Sequence, residues 1–157
     1  MNLLVVTNLY PPQELGGYGR SIADFVWGLR ERGHFIQVLS SDAPHLGASS
    51  SLGPSGEAVN RGLKLKGSYE GGVHPLQDPK QRQSIDEANA VLIRAWLSER
   101  HWDGILLGNL DLLGPELLPA LLEAPCIVQH HVGFVHAPFP PRAWPQSDRY
   151  RLVAASG

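Results

Sequence analysis

The sequence predicts an α/β fold, a parallel sheet flanked by helices on both faces. Three observations carry the prediction. Short continuous apolar runs recur along the chain without alternation, as strands covered on both faces require. Stretches with apolar residues at helical spacing separate them. Glycine and proline, 17 and 13 of the 157 residues, fall between these segments and supply their stop signals.

The elements follow in order. "NLLVV", residues 2–6, is the first strand. From Ser21, Ile22, Phe25, Val26 and Leu29 fall at i, i+3, i+4 and i+7, a helical stripe that ends at Gly33. Residues 34–42, "HFIQVLSSD", form the next strand and complete a βαβ unit. Residues 43–62 lose periodicity and are rich in Ser, Gly and Pro, so a long loop is expected. "LKLKGSY", residues 63–69, alternates and reads as a short or edge strand. A helix is expected over 84–100, with Ser84 as cap, Glu87 as capping-box acid, and Ile85, Ala88, Leu92, Ala95 and Trp96 as its stripe. "DGILLGN" is a buried strand, Pro115 opens a third helix, and "APCIVQHH" and "YRLVAASG" are further strands. Trp27, Trp96 and Trp102 read as packing residues. The count is five or six strands with three helices in one domain, residues 1–157.

Composition excludes several classes. The net charge of -2 gives no electrostatic case for nucleic acid or an anionic membrane. No apolar stretch approaches the roughly 18 residues that span a bilayer, and the first residues lack the basic region of a signal peptide. Cys126 is the single cysteine, so no internal disulfide or cysteine zinc site can form. A cytoplasmic protein is expected.

Function is written first in "TNLYPPQELGGYGRS", residues 7–21. In an open parallel sheet, ligands bind outside the carboxyl ends of the strands. This stretch, Asp42, residues 109–111 and residues 130–136 should all reach that edge. Gly16, Gly17 and Gly19 let the backbone approach a ligand without a Cβ in the way. The amides there, with the first turn of the following helix, favour an anion, and Pro11 and Pro12 stiffen the approach. A plain tight turn would use the same residues. The dinucleotide fingerprint is incomplete. "GYGRSI" lacks its third glycine, and eight residues separate Thr7 from Gly16, although Asp42 stands where a ribose contact belongs. Neither a P-loop nor a nucleophile elbow occurs. His130, His131 and His136 suggest a metal site, but adjacent residues of a strand point to opposite faces and chelate one ion poorly. No metal is expected.

The first 42 residues resemble the start of a GT-B glycosyltransferase of the family 4 type. The strand running into "YPP", the "GG" with a trailing arginine, then "RGH" and an apolar strand ending in "SD" appear in the family's order. "WDGILLGNL", "APCIVQHHVGF" and "RYRLVAAS" resemble its later strands. The resemblance implies two Rossmann-like domains facing a cleft, with transfer of a sugar from a nucleotide-sugar donor, with retention and without a metal or other cofactor. This chain would be the N-terminal, acceptor-side domain, inactive without a C-terminal domain that holds most of the donor.

The same resemblance distributes roles. Gly16 and Gly17 would approach the donor phosphates or sugar. His131 would contact the sugar in the active site, with His130 as the alternative or as an acceptor contact; Val132 stands where the family often has an acid. Arg20 would bind an anionic group of the acceptor or a phosphate, or stand as a solvated surface arginine, and Tyr18 would line the acceptor pocket or cover the turn. Asn109 and Asp111 would hydrogen-bond its hydroxyls, although Asp111 could equally cap the next helix. Trp144 could anchor its loop, stack on a sugar or touch a membrane-associated acceptor, which leaves peripheral membrane contact open. Two rival readings are a NAD(P)-type oxidoreductase domain using Gly17, Gly19 and Asp42, and a non-catalytic nucleotide- or sugar-binding domain.

Overall fold

The computed structural model describes residues 1–17, 19–132, 141–143 and 145–154. In chain order the elements are β1 (Asn2–Val6), α1 (Arg20–Glu31), β2 (Phe35–Ser41), β3 (Ala58–Leu63), β4 (Gly67–Ser68), β5 (His74–Pro75) and α2 (Pro79–Glu99). They continue with β6 (Gly104–Leu107), α3 (Leu118–Leu121), β7 (Ile127–Val132) and β8 (Tyr150–Ala154). Six strands form one sheet in the order β3-β2-β1-β6-β7-β8, with every neighbouring pair parallel. β4 and β5 form a separate antiparallel pair. No helix among the described residues is long and apolar enough to cross a membrane.

β1 is central because its side chains are apolar on both faces. Leu4 and Val6 join Ile105, Leu107 and Val128 against α2 and α3. Leu3 and Val5 join Ile36, Val38 and Leu106 against α1. Leu4, Val5 and Val6 are fully buried, each contributing about 1.5–3 kcal/mol of transfer free energy. The expected α/β architecture with helices on both faces is what forms.

Several elements differ from expectation. The segment 43–62 holds β3, which pairs with β2 over Gln37↔Ala58 to Ser41↔Leu63. The alternating run 63–69 supplies Leu63 to the end of β3 and the two-residue β4. The local pattern missed β3 because Ala58, Val59 and Leu63 flank Asn60, Arg61 and Gly62 without alternation, and its pairing is supplied by the parallel neighbour. α2 begins at Pro79, not Ser84. Asp78 accepts a hydrogen bond from the Lys80 amide at 3.0 Å, and proline occupies the first helical turn. Pro115 opens a 3-10 turn, Pro115–Leu117, that runs into the four-residue α3. The capping positions there are Gly114 and Leu117, so Asp111 is not the cap. Trp102 is buried and Trp96 packs against the core, but Trp27 is 59% exposed and Phe25 50%. The buried stripe of α1 is limited to Ile22, Ala23 and Val26, with Leu29 partly covered.

Segment 64–69 crosses the carboxyl edge and is clamped by polar contacts. Asn89 of α2 holds both the amide and the carbonyl of Lys64 at 2.9 Å. The Lys66 side chain, 1% exposed, lies between Asp86 at 2.8 Å and Glu116 at 2.9 Å. A buried ammonium needs partners of this kind.

Candidate functional site

The winding of the sheet reverses between β1 and β6. Strands run outward from β1 to β3 on one side and from β6 to β8 on the other. That is the order in which doubly wound folds open a crevice at the carboxyl edge, between the loops that follow the two central strands. Here those loops are residues 7–19 and 108–114. Val6 pairs with Leu107, and Leu107 with His130, so the strand ends lie level.

Asn8 joins the two loops. Its amide donates to the Asn109 carbonyl at 2.8 Å, and its side-chain amide donates to the Asp111 carbonyl at 3.2 Å and to the Tyr69 hydroxyl at 2.7 Å. Tyr69 donates in turn to the Asp111 carbonyl at 3.0 Å. Asn109, half-buried, accepts the Asp111 amide at 2.8 Å, a turn of the Asx type. Asn109 therefore shapes the rim through its side chain and its carbonyl, and Asp111 through its backbone amide and carbonyl, while the Asp111 residue is exposed to solvent.

The glycine loop lies on the α1 side of this junction. Gly16 and Gly17 are exposed, and a Cβ at either would meet nothing within 4 Å; Gly16 has φ +59°. Gly19 differs, with φ +89° and a position at which a Cβ would lie 2.5 Å from the Leu9 carbonyl oxygen. Gly19 is thus required by local packing, whereas among the described residues nothing lies within 4 Å of a Cβ at Gly16 or Gly17. Among the described residues, the helix that follows has no side-chain cap and no acid in its first turn, an end that suits an anion. Arg20 is ion-paired to Glu14 at 2.6 Å on the same loop. Asp42, the ribose candidate, accepts from Gln13 at 2.8 Å. Tyr18, His136 and Trp144 lie outside the described residues.

The two histidines of β7 face opposite ways. His130, 2% exposed, faces Tyr150, with its Nδ1 2.7 Å from the Tyr150 hydroxyl. Burial pushes its pKa down to about 4, against a hydrogen bond to the Gly108 backbone that favours the charged form. Tyr150 is pushed up to about 12 by burial. His131 faces α1, edge-on to Phe25 with ring centres 4.7 Å apart. Its Nε2 is buried and has no hydrogen-bond partner among the described residues, and burial lowers its pKa. The fold brings His131 to the same edge and the same face as the helix that Gly16 and Gly17 precede. His130 belongs to the other face, where it joins β7 to β8.

Sequence reasoning missed three residues of the rim: Asn8, Gln13 and Arg61. Asn8 and Gln13 stood inside the motif, but nothing local distinguishes a buried amide from a loop amide. Arg61 stood in a segment without periodicity.

The strand order, the reversal between β1 and β6 and the glycine loop before α1 together define a Rossmann-like α/β domain. Among solved structures, the chain is similar to a ugt transferase from Siraitia grosvenorii in complex with UDP, at 16% identity and a TM-score of 0.47, over 84% of this chain. It spans 28% of the length of that chain. No family model and no curated protein matches.

Proposed function

We propose that this chain is the N-terminal, acceptor-side domain of a GT-B glycosyltransferase that moves a sugar from a nucleotide-sugar donor to an acceptor with retention. The observation that supports the reading is the uncapped start of α1, preceded by the open glycines Gly16 and Gly17, on the sheet face that also carries His131. Backbone amides there suit the diphosphate of a donor and the charge that grows on it as the sugar departs. His131 stays neutral at pH 7 because burial lowers its pKa, so it offers the sugar a hydrogen bond rather than a charge. Arg20 would exchange Glu14 for an anionic group of the ligand. Asn109 and Asp111 set the acceptor side of the rim. The chemistry needs no metal or other cofactor, and a C-terminal domain completes the donor site. A cytoplasmic setting belongs to the same reading, with its single cysteine.

The sheet order suits a dinucleotide enzyme equally well, which makes a NAD(P)-type oxidoreductase domain the second reading. Against it, Asp42 is engaged by Gln13, and the glycines follow β1 at a distance rather than directly.

Amide spectra decide between them. Titration with UDP should shift the amides of Gly16, Gly17 and Arg20, and Gly17→Ala should weaken the response while the protein stays folded. NAD should leave those amides unmoved. Silence of all three amides to UDP, ADP and GDP up to about 10 mM, in the chain joined to the C-terminal domain that completes the donor site, would refute the nucleotide-sugar reading.

A further inference from the structure

The segment between β2 and β4 has no part in the reading above, yet β3 sends one side chain into the rim. Arg61, half-buried, donates from Nη2 to the Pro11 carbonyl at 2.8 Å and from Nη1 to the Tyr10 carbonyl at 3.1 Å. The same Nη1 reaches the Ser41 carbonyl at 3.3 Å and the Gln13 side-chain oxygen at 3.4 Å, and Nε donates to the Ser50 carbonyl at 2.9 Å. One guanidinium thus ties the stem of the glycine loop to the end of β2 and to the loop before β3.

Gln13, fully buried, extends the tie. Its side-chain nitrogen donates to Asp42 at 2.8 Å and to the Gly47 carbonyl at 3.1 Å, and its oxygen accepts the Ala43 amide at 2.9 Å. Beyond Gln13, Leu15 packs against the cluster of Leu9, Ala43 and Tyr69, and the other anchors among the described residues are the Glu14–Arg20 pair and the Arg20 amide on the Gly17 carbonyl at 3.3 Å. Gly16 and Gly17 are exposed and are therefore aimed from the anchored residues before them.

We propose that Arg61, acting through Gln13, is the positioning residue that sets the Gly16 and Gly17 amides for their ligand. The proposal rests on the glycosyltransferase reading for the identity of that ligand, but the brace itself is a property of the unliganded chain. Only a planar fork with five N–H groups can serve acceptors in separate directions; a lysine ammonium is a single point on a flexible stem. The effect therefore depends on shape and not on charge alone.

The test compares Arg61→Lys and Arg61→Met with wild type, and with Arg94→Met, which removes a surface ion pair, as the control. Amide positions and hydrogen exchange are read without ligand, well below the unfolding temperature, and UDP affinity is then titrated. Both Arg61 variants should displace the Gly16, Gly17 and Gly19 amides, speed their exchange and weaken UDP by about tenfold or more, with lysine no better than methionine. The control should match wild type. If Arg61→Met does not fold, Arg61→Lys and Gln13→Asn carry the comparison. Loop amides at wild-type positions in the folded variants, or full function restored by lysine, overturn the proposal. A wild-type chain joined to its C-terminal domain that ignores UDP, ADP and GDP overturns the glycosyltransferase reading instead, and the unliganded amides still decide the role of Arg61.

Discussion

His130 and His131 are neighbours in sequence, yet they meet different surroundings because a strand turns successive side chains to opposite faces. His130 is enclosed between β7 and β8 and hydrogen-bonded to Tyr150; His131 borders α1 with a ring nitrogen that no described residue partners. The enclosure of His130 has a measurable cost in acid. Its pKa is about 4 in the folded chain against 6.5 for the free side chain, so the unfolded state binds the extra proton first as pH falls. Stability is fully present above about pH 6.5 and is lost between there and about pH 4, by about 3 kcal/mol in all. Urea unfolding at a series of pH values should show this slope, and His130→Phe should flatten it. An unchanged slope in that variant would assign the acid sensitivity to other groups. The pair "HH" was visible in the sequence, as was its place at a strand end. Which imidazole would be enclosed depended on the register of β7 against β6 and β8, which one chain segment cannot reveal by itself.

Among the elements, the loop from β1 to α1 shows how glycines of one motif divide their tasks. Gly19 closes the turn, with φ +89° and its α-carbon pressed toward the Leu9 carbonyl. Gly17 stands in open space. Gly19→Ala should therefore cost about 2 kcal/mol or more, through strain and a backbone clash. Gly17→Ala should change stability by less than about 0.5 kcal/mol. Thermal unfolding of the two variants separates them; equal losses would mean that the turn is set elsewhere. The motif was legible because glycine and proline restrict the backbone directly. β3 and the true start of α2 were not. β3 owes its form to β2 beside it, and the first turn of α2 is made by an aspartate cap and a proline set in a stretch that otherwise reads as loop.

For the whole molecule, alternation of strand and helix signals was enough to predict a parallel α/β sheet, because each apolar run needed cover on two sides. The order of the strands was not, since a crossover can return to either side of β1. That order has a consequence for how the chain is made. β1 has β2 on one flank and β6 on the other, with Leu3 opposite both Ile36 and Gly104, and the Asn2 amide is held by Asp103 at 2.6 Å. A ribosome must deliver residues through β6 before the middle of the sheet can close, and contacts of such long range form slowly. A nascent chain arrested before residue 100 should be digested readily by protease, and one extended past β8 and clear of the exit tunnel should resist; early protection would show that β1 and β2 make a stable nucleus alone. Until β6 arrives, an apolar flank of β1 stands without its neighbour.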